Sequence, residues 1–393
     1  LAWQLVMIEP SGNLVYLQDI QVLKPSTDLN CDIKSICIGV DRIIKSHLST
    51  TFMGDKANFT NFDENSIRKF VLKYGYVETL GCDNIDIFFK NSDEILAINQ
   101  AIQPKDLIGN TKYIFDGIIP AKYFNLRPNL PVCRNSFMWL YAFMNFPEYF
   151  IGSANALVRY TWFDEDLNII NDLDVAIPQS TLTYYQQYGV LIIPAGPANM
   201  PEWYDDTCKV YIDIVVPQPL GEVQIMERYK YNVAKCDSCT FEFYFLSSAG
   251  AYETINFSKI VEITSSITQN EYCFDTYCRD LSIDNTTNAM QNYLQYIYNN
   301  GDDQYATLNS RKFRVTSNRL PNTEDVRQFF EEFLASENRF YRISEYAGTR
   351  PLLWVNSPKI VIEHSDKIIS KEGKVIYEFV FRFSVANISV SHD

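Results

Sequence analysis

The stretch CTFEFYFLSSAGAYETINFS, residues 239–258, is the part of the sequence that best indicates the fold. Bulky Phe243 and Phe245 alternate there with other side chains, and the second half of the stretch alternates in the same way. Alternation places successive side chains on opposite faces, which is typical of β-strands. The small residues 247–251 separate the two halves, and Gly250 can adopt a positive φ. The stretch therefore predicts two strands joined by a tight turn.

Similar patterns recur along most of the chain. They predict further strands, which are residues 3–8, 14–17, 85–90, 94–98, 156–163, 210–216, 222–233, 260–277, 312–317, 340–343, 352–355, 360–363 and 375–383. Residues 31–40 alternate more loosely, and 282–303 are an Asn-rich loop with one helical segment. Residues 137–146 fit either a buried strand or a short helix, because periodicity alone does not separate the two. Residues 65–76 carry apolar side chains at helical spacing and predict a short helix.

One helix has clear signals, over residues 323–336. Thr323 can cap its first turn, and Glu324 and Asp325 lie where the helix dipole favours acidic groups. Its apolar face consists of residues spaced at i, i+3, i+4, i+7 and i+8, which are Val326, Phe329, Phe330, Phe333 and Leu334. The predicted fold class is therefore mainly β with a few helices (α+β), with two or more β-sandwich-like or β-barrel-like modules.

A segment with two prolines and a glycine, residues 217–221, predicts a linker and the main domain boundary. Residues 1–216 then form an N-terminal β-rich region of one or two modules. Residues 222–393 form a C-terminal β module that contains the helix 323–336. A chain of 393 residues is long enough for two or three such domains.

Composition points to a protein that contacts other proteins. The chain contains 26 Tyr, 26 Phe and 5 Trp, which make up 15% of its residues. Tyrosine is favoured in strands and at interfaces, because its ring buries area while its hydroxyl finds a partner. The formal net charge of −14 argues against non-specific nucleic-acid binding, which needs a basic face. No apolar run approaches the ~18 residues of a membrane-spanning helix, so we expect no membrane span.

Nine cysteines are spread along the chain, and the odd count favours free thiols in a reducing cytosol over a disulfide framework. The best candidate for a metal site is a set of four, which are Cys236, Cys239, Cys273 and Cys278. Four thiolates can close a tetrahedral zinc site. The second pair is loosely spaced, however, and the first pair leads directly into a strand. We therefore expect buried or unreactive thiols and no bound metal.

No catalytic pattern emerges from the sequence. The acidic run 164–174 resembles the start of a calcium loop, but Ile169 and Val175 stand where an EF-hand needs glycine and glutamate. A solvated acidic turn is the better interpretation. The chain has three histidines, which are His47, His364 and His392. None lies in a context typical of Ser-His-Asp or Cys-His catalysis, and no phosphate-binding, dinucleotide-binding or zinc-protease motif occurs. We predict no enzymatic activity, no catalytic residues and no cofactor.

Two segments, residues 229–257 and 316–383, resemble structural proteins of tailed phages that infect Bacteroidetes, including crAss-like phages. In residues 239–253 a cysteine leads into an aromatic strand, a small-residue turn and a segment that begins with an aromatic residue. The departures are Ser247, where asparagine is usual, and Ala251, where a second glycine is common. Further on, the matching part is an acidic amphipathic helix and the strands after it, at residues 324–334, 340–343, 350–353, 360–362 and 377–383.

The resemblance implies a non-enzymatic virion structural protein that forms an oligomeric ring in the tail, collar or baseplate. Its partners would be copies of itself and other tail, portal or connector proteins. It would be located in the virion and assembled in the host bacterial cytoplasm.

A rival hypothesis is a glycan-binding or glycan-cleaving β-sandwich protein. An exposed Trp139, Trp162 or Trp203 would then form a platform for a sugar ring. Tryptophan more commonly packs in the core, so we expect a core role for these residues.

Overall fold

The computed structural model describes most of the chain in segments, which are residues 2–9, 12–18, 21–22, 39–53, 61–63, 65–80, 84–100, 121–145, 156–177, 188–217, 223–234, 241–257, 259–273, 302–341, 360–369, 373–383 and 387–388. Strands dominate these residues, and helices are few among them. All the sheet pairings described are antiparallel, apart from one isolated bridge. The predicted fold class, mainly β with a few helices, is confirmed.

Short and long strands follow one another in the described residues, which also contain one short helix near the start and one longer helix near residue 330. The first part contains β1 (Ala2–Ile8), β2 (Leu14–Tyr16), β3 (Gln21–Val22), α1 (Asp41–Ser46), β4 (Asn61–Phe62), β5 (Ile67–Leu80), β6 (Asn84–Asn91), β7 (Ile95–Ile98), β8 (Ala121–Tyr123), β9 (Trp139–Asn145), β10 (Leu157–Phe163), β11 (Ile169–Ala176) and β12 (Tyr188–Pro194). Then come β13 (Lys209–Pro217), β14 (Val223–Asn232), β15 (Phe241–Leu246), β16 (Tyr252–Phe257), β17 (Lys259–Cys273), β18 (Asp302–Thr316), β19 (Leu320–Pro321), α2 (Glu324–Ala335), β20 (Arg339–Tyr341), β21 (Ile360–Ile369), β22 (Lys374–Phe383) and β23 (Asn387–Ile388).

The chain divides into two compact units. The first unit comprises Leu1–Asn256 together with Thr323–Asn338, and the second comprises Phe257–Asn322 together with Arg339–Asp393. The helix α2 therefore belongs with the N-terminal elements, although it was predicted to lie in a C-terminal module.

The predicted linker at 217–221 does not separate two units. Apart from Pro217 its residues lie outside the described part of the chain, but the strands on either side, β13 and β14, pair from Lys209 opposite Asn232 to Pro217 opposite Val223. Prolines and a glycine suit a hairpin connection as well as a linker. Only the pairing of the flanking strands distinguishes these two possibilities.

A six-stranded sheet opens the first unit, with the order β2-β1-β5-β6, β3 beside β1 and β7 beside β5. The helix predicted at 65–76 is wrong, because β5 pairs with β1 and β6 there. The neighbouring residues Phe70 and Val71 are both buried, although successive strand residues point to opposite faces. Because β5 is buried on both faces there, apolar residues do not alternate with polar ones, and that alternation is the pattern that indicates a strand.

A β-sandwich forms the centre of the first unit. Its two sheets have the orders β4-β12-β9-β8 and β11-β10-β13-β14. One hydrophobic cluster joins them, with Leu140 and Ile193 from the first sheet and Tyr160, Trp162 and Ile212 from the second. Within the ambiguous residues 137–146, strand β9 covers Trp139–Asn145 and is buried on both faces from Trp139 to Met144.

The predicted hairpin and the predicted long helix are both confirmed. Strands β15 and β16 are neighbours, and Gly250 between them has φ +89°. The rings of Phe243 and Phe245 contact those of Phe329 and Phe333 on α2, with centroids 5.2–6.1 Å apart. Thr323 occupies the N-cap position of α2, but its side chain makes no capping hydrogen bond, so that part of the prediction is wrong.

The second unit contains a six-stranded sheet with the order β17-β18-β22-β19, β21 beside β22 and β23 beside β18. Phe257 packs edge-on against Phe379 with centroids 4.9 Å apart, and Phe313 stacks on Phe381. Gly373 has φ +71° in the turn between β21 and β22, as the sequence predicted. Most of residues 31–40 and 282–303, and all of 352–355, lie outside the described residues.

Candidate functional site

The residues that the sequence analysis weighed for catalysis or metal binding do not come together in the described part of the chain. His47 follows the short helix α1, and His364 lies on the exposed side of β21. His392, Cys236, Cys239 and Cys278 lie outside the described residues. No group of three or more His, Cys, Asp or Glu side chains within the described segments could hold a metal ion.

The acidic run 164–174 forms a turn and an edge strand. Asp164 accepts hydrogen bonds from the backbone N–H and the side-chain amide of Asn168, at 2.8 and 3.0 Å. These bonds stabilise the carboxylate and lower the pKa of Asp164. The predicted acidic turn is confirmed for residues 164–168, which join β10 to β11, whereas residues 169–174 belong to strand β11.

Among the cysteines of the described residues, the expectation of free thiols fails at Cys133. Cys133 is buried and disulfide-bonded. Cys208 is a free cysteine and half-buried. The odd number of cysteines therefore did not exclude a disulfide bond.

Two of the three candidate sugar-platform tryptophans cannot stack on a ligand. Trp139 is 3% exposed, and Trp162 is fully buried between Tyr160 and Tyr204. Trp203 is half-buried and packs against the sandwich core. Of the three, Trp203 alone keeps part of its surface open.

The turn between β15 and β16, residues 247–251, is the centre of a junction within the first unit. Thr50 donates its hydroxyl to the carbonyl of Gly250 at 2.9 Å, and Gln100 donates its side-chain amide to the carbonyl of Ala249 at 2.9 Å. The backbone carbonyl of Asn99 lies so close to Gly250 that an added Cβ would meet its oxygen at 2.0 Å. Segments distant in sequence therefore fix this turn.

The helix α2 holds the same turn through one carboxylate. Glu332 accepts hydrogen bonds from the backbone N–H of Ser248 at 2.8 Å and from its hydroxyl at 2.7 Å. Hydrogen bonds to a charged acceptor are stronger than those between neutral groups. Together with the phenylalanine contacts they attach α2 to the hairpin, and we call this combination of hairpin and helix the hairpin–helix junction.

Strand β16 carries a buried carboxyl group that contacts a loop. Glu253 is 2% exposed and accepts hydrogen bonds from the backbone N–H of Leu126 and the side-chain amide of Asn125. Arg127 next to them donates to the carbonyl of Thr254. Burial raises the pKa of Glu253 to about 7, despite these hydrogen bonds and the nearby Arg127, which act to lower it.

The outer face of the sheet β11-β10-β13-β14, which we call the charged sheet, has a ladder of alternating charges. Asp174, Arg159, Asp213 and Arg228 stand opposite one another across the four strands. Arg159 pairs with Asp174 and Arg228 pairs with Asp213, each through two hydrogen bonds of 2.7 Å. These hydrogen bonds raise the pKa of both guanidinium groups above its ordinary value.

No pattern in the sequence predicted this ladder. Its residues are separated by 15 positions or more wherever they pair, so no local motif links them. The available signal was the pair of acidic residues Asp172 and Asp174, two positions apart on β11, and strand register was needed to use it.

The two edges of the charged sheet differ in charge. One edge has five acidic residues, which we call the acidic strip: Asp164, Glu165, Asp166, Asp172 and Asp174. Toward the other edge lie three basic residues, Arg228 and Lys230 on the edge strand β14 and Lys209 on the neighbouring strand β13, and we call these three the basic strip. Tyr211 lies within the basic strip, with the Arg228 guanidinium 4.6 Å and the Lys209 ammonium 5.0 Å from its ring centroid. The Lys209 contact lowers the pKa of the Tyr211 hydroxyl.

The acidic strip also exposes apolar side chains. Leu167 is 61% exposed and Ile169 is 62% exposed, at the tip of the turn and the start of β11. Leu167 has φ +64°, in the left-handed region that usually takes glycine or asparagine in such turns.

None of the described helices is long and apolar enough to cross a membrane. The chain matches no protein-family model, and no curated protein matches it significantly.

Proposed function

We propose that this chain is a non-enzymatic virion structural protein of a tailed bacteriophage, forming an oligomeric ring in the tail, collar or baseplate. The observation that carries the proposal is the hairpin–helix junction. The segments that resemble phage structural proteins lie far apart in sequence, yet residues 241–253 and 324–334 pack against each other. If the two segments resemble parts of one structural module and not two unrelated fragments, they have to pack against each other. The packing seen here supports the first case.

The architecture of the first unit suits a ring component. Every copy in a ring must present the same surfaces to its neighbours, so the body that carries them has to be rigid. The sandwich core is closely packed, and the turn at Gly250 is held by backbone and side-chain contacts from distant segments. The charged sheet then offers surface groups in fixed positions.

The partners under this proposal are copies of the same chain and other tail, portal or connector proteins. The protein is located in the virion and assembled in the host bacterial cytoplasm. The net charge of −14 supports protein partners over sequence-specific nucleic-acid binding, because phosphate groups repel an acidic surface.

The test is the mass and shape of the purified full-length chain. Mass photometry and negative-stain images over a wide range of protein concentrations should show closed rings of uniform mass. Mass spectrometry should detect the chain in purified phage particles. A monomer at every concentration, combined with absence from particles, would contradict the proposal.

The glycan-binding or glycan-cleaving alternative now depends on Trp203, since Trp139 and Trp162 are buried. A glycan array with the wild-type chain and Trp203→Ala separates the two proposals. We expect no glycan binding by either chain. Binding by the wild type that Trp203→Ala removes would favour the alternative.

A further inference from the structure

The charged sheet has an unmatched acid at one edge and an unmatched base at the other. Asp172, Thr161, Tyr211 and Lys230 form one row across the four strands. In the neighbouring row on the same face, each acidic side chain forms an ion pair with a basic side chain of that row. In the row of Asp172, two uncharged residues separate it from Lys230. At ~4.8 Å per strand the two charges stand about 14 Å apart, too far for an ion pair within one copy.

Neither end of this row finds an ion-pair partner among the described residues. Both side chains are exposed, Asp172 on the edge strand β11 and Lys230 on β14. The nearest basic group to Asp172 on the sheet, Arg159, is engaged in two hydrogen bonds with Asp174. The acidic strip therefore carries excess negative charge, and the basic strip offers exposed positive charge.

We propose that the acidic strip of one copy docks on the basic strip of a second copy of this chain. The inference rests on the proposed ring function and identifies the surfaces that join neighbouring copies. Opposite charges attract the copies in one orientation, whereas two acidic strips or two basic strips repel each other. The contact therefore joins two different patches head to tail, which is the type of contact that closes into a ring.

The tip of the acidic strip provides an apolar anchor for this contact. Leucine destabilises the folded turn at position 167, because its backbone there is left-handed. Backbone strain of this kind persists where the position has a function. Leu167 and Ile169 would pack against the partner at the Tyr211 side of the basic strip, because aromatic rings and flanking cations offer apolar area with a charged border.

Charges on edge strands also protect sheets from unspecific strand pairing. That role requires only that the edges stay charged, whatever the sign. The proposed contact requires opposite signs on the two edges, so charge reversal separates the two explanations.

The main experiment uses Asp172→Lys and Lys230→Glu in the full-length chain, with self-association measured by mass photometry and analytical ultracentrifugation. Each single reversal should weaken association roughly tenfold or more, because it places like charges opposite each other. Mixing the two separately purified variants should restore association, and so should the double variant Asp172→Lys/Lys230→Glu. High salt should weaken the wild-type contact, since about 1 M salt screens charges beyond ~3 Å.

Matched controls are Asp93→Lys and Lys90→Glu, which reverse exposed charges in the connection between β6 and β7 and on β6 itself. Both should associate like the wild type. If the wild type forms oligomers that neither reversal changes, this inference is overturned and the ring proposal stands. If the wild type is monomeric at every concentration, the ring proposal itself fails.

A second variant separates assembly from folding. Leu167→Asn keeps a residue type that tolerates the left-handed backbone and removes the apolar anchor. Its melting temperature should equal or exceed that of the wild type, while its association should be about threefold to tenfold weaker. Unchanged association would show that the tip does not contact a neighbouring copy.

Discussion

Individual residues in the hairpin–helix junction are held in place by contacts with residues that are distant in sequence. Gly250 combines a positive φ with a close approach to the carbonyl of Asn99, so both its conformation and its lack of a side chain matter. Glu253 is a carboxyl group enclosed by a loop. Such residues affect stability through contacts of a few atoms, so single substitutions can test those contacts.

Gly250→Ala should destabilise the first unit by about 2–4 kcal/mol, because the new Cβ would collide with a backbone oxygen and alanine resists positive φ. The measurement is the free energy of unfolding in urea. Gly373→Ala is the matched control, since Gly373 also has positive φ but open space around it. That variant should lose only about 1 kcal/mol. Equal losses in both variants would show that the Asn99 contact is unimportant.

Glu253 should make stability depend on pH. Its folded pKa of about 7 lies above the ordinary value of 4.5, so the folded chain holds a proton that the unfolded chain releases. Stability from this group is complete below pH 4.5 and falls as pH rises through 7. Nearby charged groups are Arg127, which opposes the shift, and Glu332, which adds to it.

The size of this effect is on the order of 3 kcal/mol between the two limits. Glu253→Gln cannot ionise and should flatten the dependence of the unfolding free energy on pH in that window. Urea titrations of both chains at a series of pH values provide the measurement. A wild-type curve that is flat across the window, or equal slopes in the two chains, would contradict the assignment.

Whole elements depend on their partners in the same way. The helix α2 has the apolar face that its sequence pattern predicts, with Val326, Phe329, Phe330 and Phe333 buried. The pattern shows that one face is covered but not what covers it. In the structure the cover includes the aromatic side chains of β15, from the hairpin at residues 241–257.

Phe333→Ala should cost about 3–5 kcal/mol, because a fully buried ring that contacts Phe243 and Phe245 would be replaced by a cavity. Glu331→Ala on the exposed side of the same helix is the control and should change stability by less than about 0.5 kcal/mol. Urea unfolding followed by circular dichroism compares the two. Similar small losses would mean that α2 is not attached to the hairpin through this ring.

At the scale of the whole molecule, chain order and spatial order differ. The first unit contains residues 1–256 and also 323–338, which follow a part of the second unit along the chain. A discontinuous unit cannot be recognised from composition shifts along the chain. The helix was therefore correctly predicted as an element and placed with the wrong neighbours.

A protease site inserted at 218–221 should leave the chain associated in native solution after cleavage. Strands β13 and β14 pair on both sides of the cut and contribute to the same sandwich core, so the fragments should elute together in size-exclusion chromatography. They should separate only in denaturant. Two fragments that elute separately without denaturant would restore the boundary predicted from sequence.

Features that arise from local periodicity and backbone preference could be predicted from the amino-acid order alone. These are the mainly β class, the hairpin with its turn at Gly250, the apolar face of α2 and most strand positions. Each can be predicted locally, because alternation, helical spacing and glycine conformations involve neighbours within a few residues.

The remaining features were set by contacts between distant parts of the chain. Residues 67–80 became a strand because partners on both edges provide hydrogen bonds, and a strand buried on both faces loses its alternation. The charge ladder, the buried Glu253 and the grouping of α2 with the first unit likewise depend on register and on long-range packing. Such contacts produce no pattern in the local sequence, because the interacting residues are neighbours in space and not along the chain.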